Sequence, residues 1–169
     1  VLVGLFLVGG FLLPKETQFS RSIVINRPVD EMFLMLNGFT QFNRWSPWYE
    51  LDPAAEYSLE GPVSGVGATM SWTSEDPSVG NGAQRIVMVD APSRIDVELS
   101  FEGQDPAGSW YALSENGSGT EVQWGFQADF GSNPINRYFG LIIEGLIAPD
   151  YEKGLAQLKA YAEAEDAEG

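Results

Sequence analysis

The sequence predicts an α+β domain with an antiparallel sheet of about six to seven strands and a long C-terminal helix. Short runs of alternating polarity, separated by Gly, Pro, Asn and Asp, occupy most of residues 55–128 and are typical of strands joined by tight turns. One strand and two short helices precede these runs, and a helical pattern of apolar residues follows them. This order favours a sheet with one buried face that packs against the last helix.

The first strand and the two short helices are predicted near the start of the domain. Residues Phe19–Asn26 alternate in polarity, with Arg21 as the exception on the apolar side. Pro28 fits the first turn of a helix that runs to Asn37. A second short helix is predicted at Thr40–Trp45, directly before an aromatic segment that is interrupted by prolines.

The alternating runs predict an antiparallel meander. Two connections, Asp90–Ser93 and Glu115–Gly119, contain the residues that hairpin turns favour. Consecutive strands joined in this way pair with each other and bury one face of the sheet. The predicted strands are Ala55–Leu59, Ala68–Thr73, Gln84–Val89, Arg94–Phe101, Ser109–Ser114 and Thr120–Ala128.

The C-terminal part of the domain is predicted to be helical. Residues Ile135–Ile147 are apolar on nearly every side, and Pro149 is expected to kink or break the helix. Beyond Pro149 one apolar face continues at helical spacing, which indicates packing against the sheet. Its members are Tyr151, Leu155, Leu158 and Ala162.

The amino-acid composition excludes several classes of function. Nine basic and 24 acidic residues give a net charge of −15, which opposes binding to nucleic acid, because Lys and Arg supply most of that affinity. The chain has no Cys and no His, so neither a zinc site nor a Ser-His or Cys-His catalytic pair can be built. No acidic cluster has the spacing of a calcium loop. We therefore predict no metal, no cofactor and no nucleic-acid partner.

Residues 1–14 form a hydrophobic N-terminal segment that we interpret as part of a membrane anchor. Its uncharged run VLVGLFLVGGFLL is shorter than the about twenty residues that cross a bilayer. Because the numbering starts at Val1 without a methionine, the run could be the end of a longer span; a signal-peptide core and a buried helix are the alternatives. We therefore expect a single-pass, membrane-anchored protein with its domain at 15–163 and an acidic tail at 164–169.

Four stretches give the sequence a specific resemblance to a known superfamily. They are RSIVINRPVDEMF (Arg21–Phe33), FNRWSPW (Phe42–Trp48), GVGATMSW (Gly65–Trp72) and NPINRYFGLIIEGLIAPDYEKGLAQLK (Asn133–Lys159). The chain resembles the SRPBCC or START-like (Bet v 1-like) superfamily, in its polyketide cyclase/dehydrase and lipid transport group. This resemblance implies the helix-grip fold, in which a curved antiparallel sheet wraps around the long C-terminal helix and leaves a cavity between them. Many bacterial members also have an N-terminal hydrophobic segment, which favours the anchor interpretation.

Large apolar side chains on the predicted inner faces are candidate ligand contacts. The alternative for each of them is ordinary core packing, and for the tryptophans after the second helix it is a lid that holds the short helices on the sheet. Trp110 falls on the opposite face of the sheet, where it could pack under a loop or contact a partner. The candidates are Trp45, Trp48, Met70, Trp72, Tyr111, Trp124, Phe126, Tyr138, Phe139 and Ile142.

Glu144 is the candidate catalytic residue. It lies within LIIEGLI, a segment so apolar that burial is expected to raise the pKa of the carboxyl and fit it for acid–base chemistry. The alternatives are a pair with Arg137 on the same helical face and a position that faces water.

The leading functional hypothesis is binding, and possible transport, of a small hydrophobic or lipid-like ligand between the sheet and the C-terminal helix. The first alternative is a cyclase or dehydratase that acts on an apolar substrate through Glu144. The second is a protein-interaction domain, similar to the chaperone-activating members of the superfamily, with an exposed apolar patch around Trp110. Whether the protein is an enzyme is left open, and the absence of strong catalytic groups favours binding.

Overall fold

The computed structural model describes residues 12–131 and 134–165. Within these residues seven strands form one antiparallel sheet, and helices lie before and after the meander. The helices are α1 (Val29–Leu36), α2 (Pro134–Gly140) and α3 (Ile143–Glu165), with a short 3₁₀ helix at Phe42–Arg44. The strands are β1 (Glu16–Ile25), β2 (Glu56–Glu60), β3 (Thr69–Thr73), β4 (Gly82–Asp90), β5 (Arg94–Phe101), β6 (Ala107–Asn116) and β7 (Gly119–Asp129).

Strands β2 to β7 form a meander, and β1 pairs with β7 at one edge of the sheet. Its order is β1-β7-β6-β5-β4-β3-β2, and every neighbouring pair is antiparallel. The first and last strands of the chain are therefore neighbours, with Phe19 opposite Phe126 in the register. The β3–β4 and β5–β6 connections and the end of β7 consequently lie at one end of the sheet, the end from which α2 departs.

Helix α3 packs along β1 through the apolar face that the sequence predicts. Leu155, Leu158 and Ala162 are almost completely buried, and the ring of Tyr151 meets the ring of Phe19 at 5.4 Å. Arg21, the polar exception in the first strand, reaches across to helix α3 and bonds to two of its carboxylates. The amphipathic pattern of the helix thus fixes which face meets the sheet.

The predicted α+β helix-grip architecture is confirmed, as are all seven predicted strands. Their observed bounds differ from the predicted ones by up to three residues, and β5 matches at both ends. The predicted helix at Thr40–Trp45 is only a single 3₁₀ turn, because the following Pro47 is incompatible with a longer helix.

The C-terminal helix breaks at Leu141–Ile142. The break predicted as one possibility at Pro149 does not occur, and Pro149 lies within α3. The Thr17 hydroxyl donates to the Gly140 carbonyl at 3.1 Å and helps to end α2. Pro149 is accommodated within α3 because the carbonyl that it leaves without a donor, that of Gly145, lies on an exposed turn open to water.

The predicted single-pass membrane localisation is corrected. Among residues 12–131 and 134–165, no helix is long and apolar enough to cross a bilayer. Residues 1–11, on which most of the anchor interpretation rested, lie outside the described residues.

Candidate functional site

A large cavity separates the inner face of the sheet from the first half of α3. Its volume is about 1130 Å³. The sheet supplies the floor, and Ile143, Ile147 and Tyr151 of α3 supply the opposite wall. Six of the predicted ligand contacts line it, namely Trp48, Met70, Trp72, Trp124, Phe126 and Phe139. Aromatic rings and aliphatic side chains therefore dominate the interior.

Four other predicted contacts do not line the cavity. Trp45 and Tyr111 are buried behind it, and each packs against Trp124, with ring centroids 5.4 and 5.5 Å away. Tyr138 lies in α2 and Ile142 on the α2–α3 connection, both outside the lining, and Ile142 is 55% exposed. Trp45 and Tyr111 could therefore affect a ligand only indirectly, by holding Trp124 in place.

The aromatic segment after the 3₁₀ helix closes one side of the cavity. Trp45 and Trp48 both meet Trp124 edge-on, at 5.4 and 5.7 Å between ring centroids. Pro47, between them, is fully buried and packs where Gly154 of α3 comes close. The irregular backbone thus lets two nearby tryptophans approach the same ring, and the segment serves both as core and as cavity wall.

Ser109 organises the polar groups that face the buried part of the cavity. Its Oγ donates to the Gly125 carbonyl at 2.9 Å and accepts the indole N–H of Trp124 at 3.0 Å. The Tyr151 hydroxyl lies 3.4 Å from the same oxygen. Burial raises the pKa of Tyr151 and also that of Tyr111, so both phenols stay neutral at physiological pH.

Gln84 on β4 is a second polar group of the interior. The residue is 6% exposed and lines the cavity. It pairs in the sheet with Met70 and Leu99, which face the cavity too. No hydrogen bond from a described residue reaches its side-chain amide. A buried amide of this kind has both a donor and an acceptor to offer.

Ser109, Gln84 and Tyr151 are cavity residues beyond those that the sequence patterns predict. Ser109 and Gln84 occupy inward-facing positions whose neighbours on the same face are mainly apolar. A polar residue at an inward-facing strand position is the sequence signal that could have identified them. Tyr151 was assigned to the packed face of the helix, and its position at the cavity wall depends on how far α3 stands from the sheet.

The prediction that Glu144 is buried is wrong. Its side chain is 50% exposed, as the alternative of a water-facing position expected, and lies outside the cavity lining. It bonds to Arg21 at 3.1 Å, and not to Arg137 as the other alternative proposed. The break at Leu141–Ile142 restarts the helix with this residue on the solvent side. The basis for acid–base catalysis by Glu144 is therefore lost.

The expected apolar patch around Trp110 is not exposed. Trp110 is only 7% exposed, because the Arg94 guanidinium lies 4.3 Å from its ring centroid and the ring packs flat over Gly125. A Cβ on Gly125 would overlap that ring, so glycine is required there. The feature that favoured an interaction domain is thus absent from this face.

Comparison with known proteins agrees with this geometry. The sequence matches the family described as polyketide cyclase / dehydrase and lipid transport over residues 16–163. The chain therefore belongs to this family, and the predicted superfamily is confirmed. None of the curated protein sequences matches it significantly.

Solved structures show the same fold at low sequence identity. Protein Ms6760 from Mycobacterium smegmatis is 15% identical with a TM-score of 0.58, and the match covers 88% of this chain and 92% of that one. Ara h 8.0201 is 12% identical with a TM-score of 0.55, over 83% and 96% of the two chains. The di-domain ARO/CYC StfQ from the steffimycin biosynthetic pathway is 12% identical with a TM-score of 0.63, over 90% of this chain and 52% of StfQ.

Proposed function

We propose that this protein binds a small hydrophobic or lipid-like molecule between its sheet and helix α3. The observation that supports this most directly is the cavity of about 1130 Å³ with its aromatic lining. Pockets of roughly this size and character are the usual sites of small-molecule binding. Membership of a family described by cyclisation, dehydration and lipid transport is consistent with such a ligand.

The energetics of the cavity also support a ligand. The cavity is open at its mouth, so water fills it when no ligand is bound. A ligand that displaces poorly ordered water from an apolar wall gains about 25 cal/mol for each Å² of apolar surface that it buries.

Binding accounts for the interior better than catalysis does. A cyclase or dehydratase needs a group that exchanges protons near neutral pH. The buried hydroxyls that line the cavity belong to Ser46, Ser109 and Tyr151, and burial raises the pKa of the Tyr151 phenol. Such groups can orient a carbonyl or hydroxyl by hydrogen bonding, which is what a carrier requires.

The test is a titration with N-phenyl-1-naphthylamine, a neutral probe that fluoresces in apolar surroundings. We expect saturable binding, with energy transfer from the tryptophans of the cavity wall. Ala107 lines the cavity, so Ala107→Phe should weaken binding at least tenfold by filling the space. Ala156, exposed on α3, gives the control Ala156→Phe, which should bind normally. Equal binding by both variants, or no saturable binding by the unmodified protein, would contradict the proposal.

A further inference from the structure

The loop end of the cavity is strongly acidic. Among the described residues, the lining includes five carboxylates and neither a Lys nor an Arg. They come from the β3–β4 and β5–β6 connections, the end of β7 and the first half of α3, so they surround the mouth rather than the floor. These residues, here called the acidic rim, are Asp76, Glu102, Asp105, Asp129 and Asp150.

In the described part of the chain, no ion pair neutralises the acidic rim. The bonds to its members come from neutral groups: Ser78 donates to Asp76, the Asn81 amide donates to Glu102, and the Gly131 N–H donates to Asp129. The ion pairs found among residues 12–131 and 134–165 involve other carboxylates, such as those that hold Arg21, Arg94 and Lys153.

Gln84 provides an independent indication of a ligand. The residue is only 6% exposed, and its amide faces the cavity without a partner among the described residues, so a polar group that enters the cavity can bond to it. Because the amide is uncharged, it offers no compensation for a buried carboxylate. A hydroxyl, carbonyl or amide of a ligand would satisfy it.

We propose that the cavity selects cationic amphiphiles, with the apolar body against the aromatic walls and the positive end at the acidic rim, and that it discriminates against anionic ones. Inside, Gln84 bonds to an uncharged polar group of the ligand. This inference rests on the proposed binding function and specifies the charge of the ligand. Fatty-acid carboxylates and phosphorylated lipids are thus the wrong class, although their chains would fit the walls.

The expected size of the selectivity follows from Coulomb's law. One carboxylate at roughly 8 Å in a water-like medium changes the affinity for a unit charge about twofold. Several members of the acidic rim acting together should separate a cation from an anion of the same shape by about two orders of magnitude. Because these charges are exposed, salt should reduce the difference.

The experiment uses three probes with the same apolar body: 1-pyrenemethylamine, 1-pyrenemethanol and 1-pyrenecarboxylate. Their dissociation constants are measured by fluorescence titration at pH 7 in 20 mM and 300 mM NaCl. We expect the amine to bind tightest, then the alcohol, then the carboxylate. The amine should weaken and the carboxylate should strengthen at the higher salt concentration, while the alcohol changes little.

Charge variants separate the acidic rim from the overall negative charge. The triple variant Glu102→Gln/Asp105→Asn/Asp150→Asn should reduce the amine-to-carboxylate affinity ratio about tenfold or more. The control Glu98→Gln/Glu115→Gln/Glu121→Gln removes the same charge from residues outside the lining and should leave most of the ratio intact. Gln84→Leu should weaken the alcohol about fivefold, as expected for the loss of one hydrogen bond.

The outcomes distinguish this inference from the proposed function. If the alcohol binds but the amine binds no tighter than the carboxylate, or if the two triple variants behave alike, charge selection by the acidic rim is refuted and hydrophobic binding stands. If none of the three probes binds, the proposed binding function is refuted and this inference with it.

Discussion

At the scale of single residues, Trp124 is the point at which the core and the cavity meet. Its ring lies between Tyr111, stacked at 5.5 Å, and Tyr151, tilted at 4.2 Å, and Trp48 meets it edge-on. Its indole N–H is held by Ser109. Trp124 packs against the buried core on the side of Tyr111 and also lines the cavity. The position of the Trp124 ring therefore determines the shape of the cavity wall.

Replacing Ser109 tests whether this network stabilises the fold. Ser109→Ala removes the acceptor of the buried Trp124 N–H and the partner of Tyr151, so the free energy of unfolding should fall by about 1–3 kcal/mol. Ser114, exposed on the same strand, provides the control Ser114→Ala, which should change stability by less than about 0.5 kcal/mol. Urea denaturation measures both, and equal stability of the two variants would contradict this role of Ser109.

The buried phenols predict a loss of stability at high pH. Burial raises the pKa of Tyr111 and of Tyr151 above the value of about 10 for an unfolded chain. The unfolded state therefore releases these protons first, so their contribution to stability is complete below about pH 10 and falls above it, by up to about 1.4 kcal/mol per pH unit for each phenol.

Urea midpoints measured from pH 8 to pH 11 check this prediction. Tyr151→Phe removes one of the two phenols, so the decline in its unfolding free energy above pH 10 should be shallower than that of the unmodified protein. Parallel declines for the two proteins would show that Tyr151 does not keep its proton in the folded state.

At the scale of elements, the contact between α3 and the sheet depends on a small residue at the crossing. A Cβ on Gly154 would lie 2.7 Å from the Trp124 ring and 3.2 Å from Pro47. Glycine is unfavourable within a helix by about 1 kcal/mol relative to alanine, and here it permits a close approach that no other residue allows. The helix therefore touches the aromatic wall at this level and stands away from the sheet nearer its start.

Two glycine-to-alanine changes in α3 separate helix propensity from packing. A Cβ added to Gly145 would meet no neighbouring atom within 4 Å, so Gly145→Ala should raise the free energy of unfolding by up to about 1 kcal/mol. Gly154→Ala should lower it by about 1–3 kcal/mol, because the added methyl displaces a packed ring. Thermal denaturation distinguishes them, and stabilisation by Gly154→Ala would mean that the helix is not held closely there.

Elements and faces could be predicted from the sequence because they depend on local patterns. The alternation of Ile95, Val97 and Leu99 identifies β5 and its inner face without any tertiary information. The exposure of Glu144 could not be predicted, because it depends on where the helix restarts. The end of the preceding helix is bonded to Thr17 through the Gly140 carbonyl, a contact between residues 123 positions apart in the chain that no local pattern reveals.

At the scale of the whole molecule, the cavity is a property of the sheet and helix together. The inner face of the sheet supplies apolar residues from β3 to β7, and α3 covers them closely at Gly154 but leaves a gap toward Ile143. The sequence predicts which side chains face this gap, as for Trp72 and Phe126, but not its volume. If α3 lay slightly closer to the sheet, the sequence pattern would be the same, but side chains would fill the interior and no cavity would remain.

The most direct test of the central claim is the indole N–H region of an ¹⁵N–¹H spectrum, recorded without and with N-phenyl-1-naphthylamine. The chain has five tryptophans, and Trp48, Trp72 and Trp124 line the cavity. Trp110 lies on the opposite face of the sheet beneath Arg94. The account predicts that the three lining signals shift with saturation while the Trp110 signal stays in place. Shifts confined to Trp110, or no shift of the lining signals at concentrations of probe that change its fluorescence, would contradict binding in this cavity.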